Sequence, residues 1–84
     1  MTVVVTLFAR PDCHLCDEAR AAIVALAQEL PDLRLEEVDI DADDDLLRRY
    51  LERIPVVAVD GTIVSELVLD RQALRDRLGD TLRA

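Results

Sequence analysis

The segment from Thr2 to Phe8 places the strongest constraint on the fold, because it is β-branched and apolar almost throughout. A strand that is apolar on both faces is typical of the middle of a sheet that is covered on both sides. The chain has 84 residues, which supply material for one hydrophobic core only. We therefore predict a single domain, residues 1–84, built around this strand.

The residues after the first strand predict a long amphipathic helix. Arg10, Pro11 and Asp12 interrupt the strand, and Pro31 ends the segment that follows. Between them, apolar side chains recur at the spacing of one helical stripe, which we expect to face the core. The stripe consists of Leu15, Ala19, Ala22, Ile23, Leu26 and Leu30.

A second strand and a second helix are predicted next. The apolar positions from Leu33 to Ile40 indicate a short strand that runs into an acidic stretch. A helix is expected at about residues 43–52, with Asp41 or Asp43 as its N-cap. Ile54-Pro55 ends this helix, because a proline disfavours the α conformation in the residue before it. The apolar positions of this second helix are Leu46, Leu47, Tyr50 and Leu51.

The last third of the chain predicts a hairpin and a final helix. Val56–Val59 and Thr62–Leu67 are predicted strands, and Asp60-Gly61 supplies the positive φ angles of a tight turn. The final helix begins at about Asp70. Its apolar side consists of Ala73, Leu74, Leu78 and Leu82. The order β-α-β-α-β-β-α predicts an α/β fold with a four-stranded mixed sheet and helices on both faces.

The charge of the chain restricts its partners. Eighteen acidic residues oppose ten basic residues, all of them arginine, which gives a net charge of −8. Nucleic acids and anionic membranes are bound through clustered cations, so neither is an expected partner. No apolar run approaches the roughly 18 residues that a membrane span needs, and no signal peptide is recognisable. We therefore expect a cytoplasmic protein.

Cys13 and Cys16 are the only cysteines, and they lie where the first strand gives way to the first helix. Residues three apart on a helix have Cβ atoms about 5–6 Å apart, so a small adjustment of the first turn closes a disulfide. Cys13 would stand at the helix N-terminus, where free N–H groups and the helix dipole stabilise a thiolate. Cys16, one turn further, would be shielded. The pattern predicts redox chemistry in which Cys13 reacts first.

Other interpretations of the two cysteines stay open. A structural disulfide across four residues would stabilise the fold by only about 2 kcal/mol, and a cytosol keeps ordinary thiols reduced. A metallochaperone also places a Cys-x-x-Cys after its first strand, but its domain ends in a strand. An iron–sulfur cluster would need further ligands from a second copy, and we expect no metal here. A non-catalytic binding module would dock a basic partner on the acidic stretch.

Arg10 and His14 are candidate substrate-binding residues beside Cys13. Arg10, three residues earlier, could favour a thiolate and attract an anionic substrate, although three neighbouring acids oppose its effect. His14 could stabilise a thiolate or carry a proton. As the residue directly after Cys13, it is more simply expected to face solvent and tune the redox potential.

The motif and the element order together resemble the glutaredoxin-like proteins of the thioredoxin superfamily, most closely a family of short bacterial members. The resemblance spans nearly the whole chain and implies a thioredoxin-like fold. It is carried by Leu7-Phe8, Cys13-His14-Leu15-Cys16, Val38-Asp39-Ile40-Asp41, Tyr50 and Arg53-Ile54-Pro55-Val56-Val57, followed by Asp60-Gly61.

The resemblance implies a thiol–disulfide oxidoreductase. In this superfamily the first cysteine is the nucleophile and the second resolves the mixed disulfide, roles that fall on Cys13 and Cys16. It also implies a cis Ile54-Pro55 bond beside the cysteines, which leaves the backbone of Ile54 free to pair with an extended substrate. The implied substrate is a protein disulfide or a glutathione mixed disulfide. Glutathione or thioredoxin reductase would be the electron donor, and no bound cofactor is expected.

Overall fold

The computed structural model of the protein describes residues 2–83, with side chains through residue 80. The order of its elements confirms the predicted β-α-β-α-β-β-α arrangement. The elements are β1 (Val3–Ala9), α1 (His14–Glu29), β2 (Leu33–Asp39), a 3₁₀ helix (Ile40–Ala42), α2 (Asp44–Tyr50), β3 (Val56–Val59), β4 (Thr62–Glu66) and α3 (Arg71–Arg83).

The four strands form one mixed sheet in the order β2-β1-β3-β4. β1 pairs in parallel with β2 and antiparallel with β3, and β3 pairs antiparallel with β4. β1 therefore lies inside the sheet, as its uninterrupted apolar sequence predicts. The turn between β3 and β4 consists of Asp60 (φ 47°) and Gly61 (φ 88°), which confirms the tight hairpin.

The sheet is covered on both faces, but unequally. On one face, every second residue of β1 packs with α1 and α3 in the main core, where Leu7, Ile23, Leu74 and Leu78 have no exposed surface. The other face holds a smaller cluster of three buried residues, Ile40, Tyr50 and Val56, with Phe8 packed against them. α2 supplies Tyr50 to this smaller cluster, which confirms helices on both faces.

Aspartates cap three of the helical segments. Asp43 Oδ1 accepts hydrogen bonds from the backbone N–H groups of Asp45 (2.8 Å) and Leu46 (3.3 Å) and starts α2. Asp39 accepts from the N–H of Asp41 at the start of the 3₁₀ helix, and Asp70 accepts from that of Ala73 at the start of α3. Since carboxylates satisfy the free N–H groups of a helix start, the acidic stretch has a structural role here. Of the two predicted caps for α2, Asp43 is correct.

The structure corrects several boundaries. Ile40 does not extend β2; it opens the 3₁₀ helix, because the Asp39 carboxylate turns the chain by capping it. Leu15 is 39% exposed rather than part of the buried stripe, and Leu51 lies just after α2 with 44% exposure. β1 begins at Val3 and includes Ala9. The side chain of Leu82, predicted on the apolar side of the last helix, lies outside the described residues.

None of the helices within residues 2–83 has both the length and the apolar character needed to span a bilayer.

Candidate functional site

The strand register brings three loops together at one end of the strands, along one rim of the sheet. Phe8 near the end of β1 pairs with Val56 at the start of β3, and Val56 pairs with Glu66 at the end of β4. Consequently the segment after β1 with Cys13, the segment before β3 with Ile54-Pro55, and the segment after β4 all leave the sheet at this edge. We call it the cysteine edge.

Cys13 is the N-cap of α1. Its backbone is extended (φ −102°, ψ 108°), and its Sγ accepts a hydrogen bond of 3.2 Å from the N–H of Cys16. The two cysteines are joined by a disulfide with their Cα atoms 5.2 Å apart. Cys16 has no exposed surface, whereas Cys13 is partly exposed at the rim of the core. The predicted placement of both sulfurs is therefore what the structure shows.

The position of Cys13 favours a negative charge on its sulfur after reduction. The N–H of Cys16 already points at Sγ, and the N-terminus of a 16-residue helix carries partial positive charge. A thiolate is the form of cysteine that attacks disulfides. This end of α1 can therefore hold a nucleophilic sulfur at the surface and a second sulfur directly beneath it.

Ile54 and Pro55 lie at the cysteine edge, joined by the cis peptide bond that the resemblance implied. Pro55 is buried and Ile54 packs against both hydrophobic clusters. The N–H of Ile54 donates to the carbonyl of Tyr50 at 3.0 Å. The expectation that the backbone of Ile54 is free is thus wrong for its N–H, because the chain makes a final helical turn before the proline.

Arg10 is directed toward the acidic side of the cysteine edge. Its Nε lies 2.9 Å from Oδ1 of Asp41, at an angle that makes an ion pair without hydrogen-bond geometry. Arg20 of α1 hydrogen-bonds Asp17 at 2.7 Å and also Glu37 of β2. The hydrogen bond to Asp17, and after it the one to Glu37, raises the pKa of Arg20 above its ordinary value. Both arginines are thus engaged by carboxylates of the protein.

His14 faces solvent, as its simplest interpretation predicted. Its side chain is 86% exposed, and Nε2 lies 3.3 Å from Oε1 of Glu18, one turn along α1. Within the described part of the chain, no three His, Cys, Asp or Glu side chains are grouped so that they could hold a metal ion. The binding roles predicted for Arg10 and His14 stay predictions.

Sequence reasoning missed an ion pair that ties two loops of the cysteine edge together. Arg53, just before Ile54, hydrogen-bonds Glu66 at the end of β4, and its guanidinium lies 5.4 Å from the centre of the Tyr50 ring. The hydrogen bond from Arg53 lowers the pKa of Glu66. The partners are 13 residues apart, so only the pairing of β3 with β4 brings them together.

The loop after β4 was also missed. Leu67 has a left-handed backbone (φ 63°), which a bulky apolar residue rarely adopts, and its N–H donates to the carbonyl of Arg53 at 2.9 Å. The Ser65 hydroxyl donates to the carbonyl of Val68 and accepts from the N–H of Asp70. A serine near the end of β4 is the only sequence signal for this turn, and it is weak.

The fold and the cysteine pair together define a class: a thioredoxin-like domain with a Cys-x-x-Cys pair, an arrangement that supports redox function. The chain belongs to the family described as Glutaredoxin-like domain (DUF836), whose sequence model matches residues 4–79. Family and fold thus confirm the predicted resemblance to glutaredoxin-like proteins.

Solved structures agree with this assignment. Target protein XcR50 from X. campestris is 35% identical, with 90% of this chain and 96% of that one covered and a TM-score of 0.72. Protein Ne2328 from Nitrosomonas europaea is 25% identical, with 92% of each chain covered and a TM-score of 0.79. Oxidized mitochondrial thioredoxin 3 from Saccharomyces cerevisiae is 23% identical, covers 93% and 77%, has a TM-score of 0.68 and shows the fold alone. No curated protein matches the sequence.

Proposed function

We propose that this protein is a thiol–disulfide oxidoreductase that reduces protein disulfides or glutathione mixed disulfides. One observation carries the proposal: Cys13 caps α1, is partly exposed, and is bonded through its sulfur to the fully buried Cys16. A disulfide that closes a loop of four residues stabilises a fold by only about 2 kcal/mol, so a structural role alone explains its position poorly.

The first step is attack by the reduced Cys13. The thiolate Sγ attacks one sulfur of the substrate disulfide, the substrate S–S bond breaks, and the departing thiolate takes a proton from water. A mixed disulfide between Cys13 and the substrate remains. The N–H of Cys16 and the helix dipole stabilise the attacking anion, and the exposure of Cys13 admits the substrate.

The second step is resolution by Cys16. Its thiol loses a proton and attacks Sγ of Cys13, and the second substrate sulfur leaves as a thiolate. Two electrons have then passed from the dithiol to the substrate, and the Cys13–Cys16 disulfide has formed. Because Cys16 has no exposed surface, it meets the mixed disulfide from inside the protein and does not compete for the first attack.

The cycle needs a thiol donor to reduce the Cys13–Cys16 disulfide again. We propose glutathione, acting as a co-substrate, or thioredoxin reductase in this role. A dithiol that is reduced in each cycle suits the cytoplasm, where thiols are kept reduced. The element order supports this chemistry over a copper-carrier role, because α2 lies between β2 and β3 and the chain continues into α3.

Single-turnover oxidation tests the proposal. The protein is reduced, freed of reductant and mixed with hydroxyethyl disulfide, a small neutral substrate, and the products are followed by mass. We expect the wild type to lose two hydrogen atoms, as two protons and two electrons, and to form the Cys13–Cys16 disulfide. Cys16→Ser should accumulate a stable adduct on Cys13, because resolution is blocked. A titration in glutathione redox buffers then gives the midpoint of the pair.

Cys13→Ser is the matched control, since serine can also cap a helix. The proposal is wrong if Cys13→Ser forms an adduct on Cys16 as fast as Cys16→Ser forms one on Cys13. It is equally wrong if the reduced wild type leaves hydroxyethyl disulfide unreacted.

A further inference from the structure

The cysteine edge carries an unusual share of the exposed apolar surface. Among the described residues, six large apolar side chains are exposed, and three of them lie at this edge, namely Leu15, Leu67 and Val68. Leu15 stands between the two cysteines, and the other two lie in the loop after β4. We call these three residues the apolar platform. Val68, 69% exposed, is the most exposed of the six.

The platform borders a groove between α1 and the start of α3. The groove has a volume of about 390 Å³. Of the platform, Leu15 and Val68 line the groove and Leu67 does not; the buried Ala19 and Ala22 of α1 line it as well. Glu18 and Arg71 are its charged lining residues. The lining is therefore mostly apolar, and the groove is large enough for one or two side chains of an extended polypeptide.

The loop that presents Leu67 and Val68 is held in place by hydrogen bonds. The N–H of Leu67 is bonded to the carbonyl of Arg53, and the Ser65 hydroxyl bridges the carbonyl of Val68 and the N–H of Asp70. The left-handed backbone conformation of Leu67 is also unfavourable in free energy for a residue other than glycine. The fold thus fixes two apolar side chains in solvent at a cost, as expected for a preformed contact surface.

The charges around the platform favour a cationic partner. Arg10, Arg20 and Arg53 are each paired with carboxylate: Arg10 with Asp41, Arg20 with Asp17 and Glu37, and Arg53 with Glu66. In the lining of the groove, the positive charge of Arg71 is balanced by the negative charge of Glu18. Further acids stand beside the cysteines, with Asp12 directly before Cys13 and Glu18 at the groove. In a chain with a net charge of −8, this edge attracts cations and repels anions.

We propose that the apolar platform docks an extended, cationic protein segment in which a disulfide-bonded cysteine lies next to a large apolar residue, and that such a segment is preferred over glutathione disulfide. This inference rests on the proposed function. The apolar neighbour enters the groove beside Val68, and basic residues of the segment meet Asp12 and Glu18. The bound cysteine is thereby presented to Cys13, and glutathione, which is anionic, gains neither contact.

Four synthetic peptides separate the two components of this preference. Each carries one cysteine activated as a 2-thiopyridyl disulfide, with Leu or Ser beside it and two Arg or two Glu as flanks. Attack by Cys13 on the peptide sulfur breaks the S–S bond, releases 2-thiopyridone and leaves a peptide–Cys13 disulfide. Initial rates with the reduced protein are divided by rates with the neutral thiol β-mercaptoethanol, so that differences in intrinsic peptide reactivity cancel.

We expect the Leu/Arg peptide to react at least about tenfold faster than the Ser/Glu peptide at low salt, after that division. The part of the ratio that depends on Arg or Glu should shrink in about 0.5 M salt, because exposed charges are screened. The part that depends on Leu or Ser should persist. Glutathione disulfide should react more slowly than a Leu/Arg peptide homodimer joined by its disulfide.

Matched variants locate each component. Val68→Ser and Leu67→Ser should bring the Leu-to-Ser ratio close to one, whereas Val24→Ser, at an exposed valine on another part of α1, should preserve it. Asp12→Asn should lower the Arg-to-Glu ratio. Asp32→Asn, in the turn at the opposite end of the sheet, should leave that ratio unchanged.

The outcomes separate this proposal from the proposed function. If the reduced protein fails with hydroxyethyl disulfide as well as with every peptide, both proposals are wrong. If hydroxyethyl disulfide reacts but the four peptides share one normalised rate, or Val24→Ser lowers the Leu-to-Ser ratio as much as Val68→Ser, only the platform is wrong. It is also overturned if glutathione disulfide outpaces the Leu/Arg homodimer, or if the platform serves self-association that Val68→Ser abolishes.

Discussion

The starts of α1 and α2 satisfy the same backbone requirement with different atoms. Asp43 Oδ1 accepts two N–H groups at the start of α2, and aspartates also cap the 3₁₀ helix and α3. At the start of α1, Cys13 Sγ accepts one N–H at 3.2 Å, and sulfur is a weak acceptor. The protein caps its other helical segments with aspartate and only α1 with cysteine. The cysteine is a weaker cap, but it places a chemically reactive sulfur at this helix start.

A serine exchange at both starts should produce the largest contrast. Cys13→Ser and Asp43→Ser each keep a good N-cap residue, so both proteins should fold. Because Cys13→Ser also lacks the disulfide, its stability is compared with that of the reduced wild type, from which it should differ little. Disulfide reduction should fall to the uncatalysed rate in Cys13→Ser and stay near the wild-type rate in Asp43→Ser. Turnover with hydroxyethyl disulfide measures this, with circular dichroism as the folding control. Equal losses of activity in both variants would contradict the comparison.

Reduction of the disulfide should change stability at the α1 start only. The loop of four residues is constrained in the oxidised unfolded chain, so the oxidised protein should be more stable by up to about 2 kcal/mol. Urea unfolding with and without reductant measures the total. Hydrogen exchange measures its location, and protection should fall in the first turn of α1 while the first turn of α2 is unchanged. Equal loosening of both turns would remove the distinction between them.

Loss of a carboxylate cap should have a moderate effect on stability. Asp43→Ala leaves the N–H groups of Asp45 and Leu46 without their acceptor, which should cost about 1 kcal/mol. For a domain of this size the melting temperature should fall by about 4–8 °C. Thermal unfolding tests this against Asp32→Asn as a control for lost charge. An unchanged melting temperature would show that water caps α2 equally well.

Acid should act weakly on the carboxylate contacts and not on the sulfur cap. Arg53 lowers the pKa of Glu66 in the folded protein, so the folded state binds this proton less readily than the unfolded state. The stabilisation is complete above the ordinary glutamate pKa of about 4.3 and is lost as pH falls through the lower folded value. Since the pair is exposed, the effect is small. Unfolding of wild type and Glu66→Gln between pH 6 and about pH 3 measures it, and identical slopes would contradict it.

Local sequence predicted those elements whose residues are neighbours along the chain. The Asp60-Gly61 turn, the Asp43 cap and the α1 stripe from Ala19 to Leu26 depend on spacings of one to four residues. The prediction for Leu15 is wrong for a related reason. It is spaced like Ala19 and Ala22, but the buried side of the first turn is taken by Cys16, and Leu15 lies beside it, where it lines the groove between α1 and α3.

The site was predictable in its chemistry and not in its surroundings. Position at a strand-to-helix junction was enough to assign Cys13 to the helix start and Cys16 to the interior. The engagement of Arg10 by Asp41, and of Arg53 by Glu66, joins residues from different strands and loops. Such pairs depend on strand order and register, which no local pattern specifies.

The amino-acid sequence by itself determined the element order, the central strand and a cysteine pair one helical turn apart, because each follows from short-range spacing and from proline and glycine stereochemistry. Only the tertiary structure decided which loops share the cysteine edge, which arginines are engaged by carboxylates, and that Leu67 and Val68 are exposed at this edge. The physical reason is that strand pairing joins residues far apart in the chain, and their charges and exposed surfaces acquire a chemical meaning only once they are neighbours.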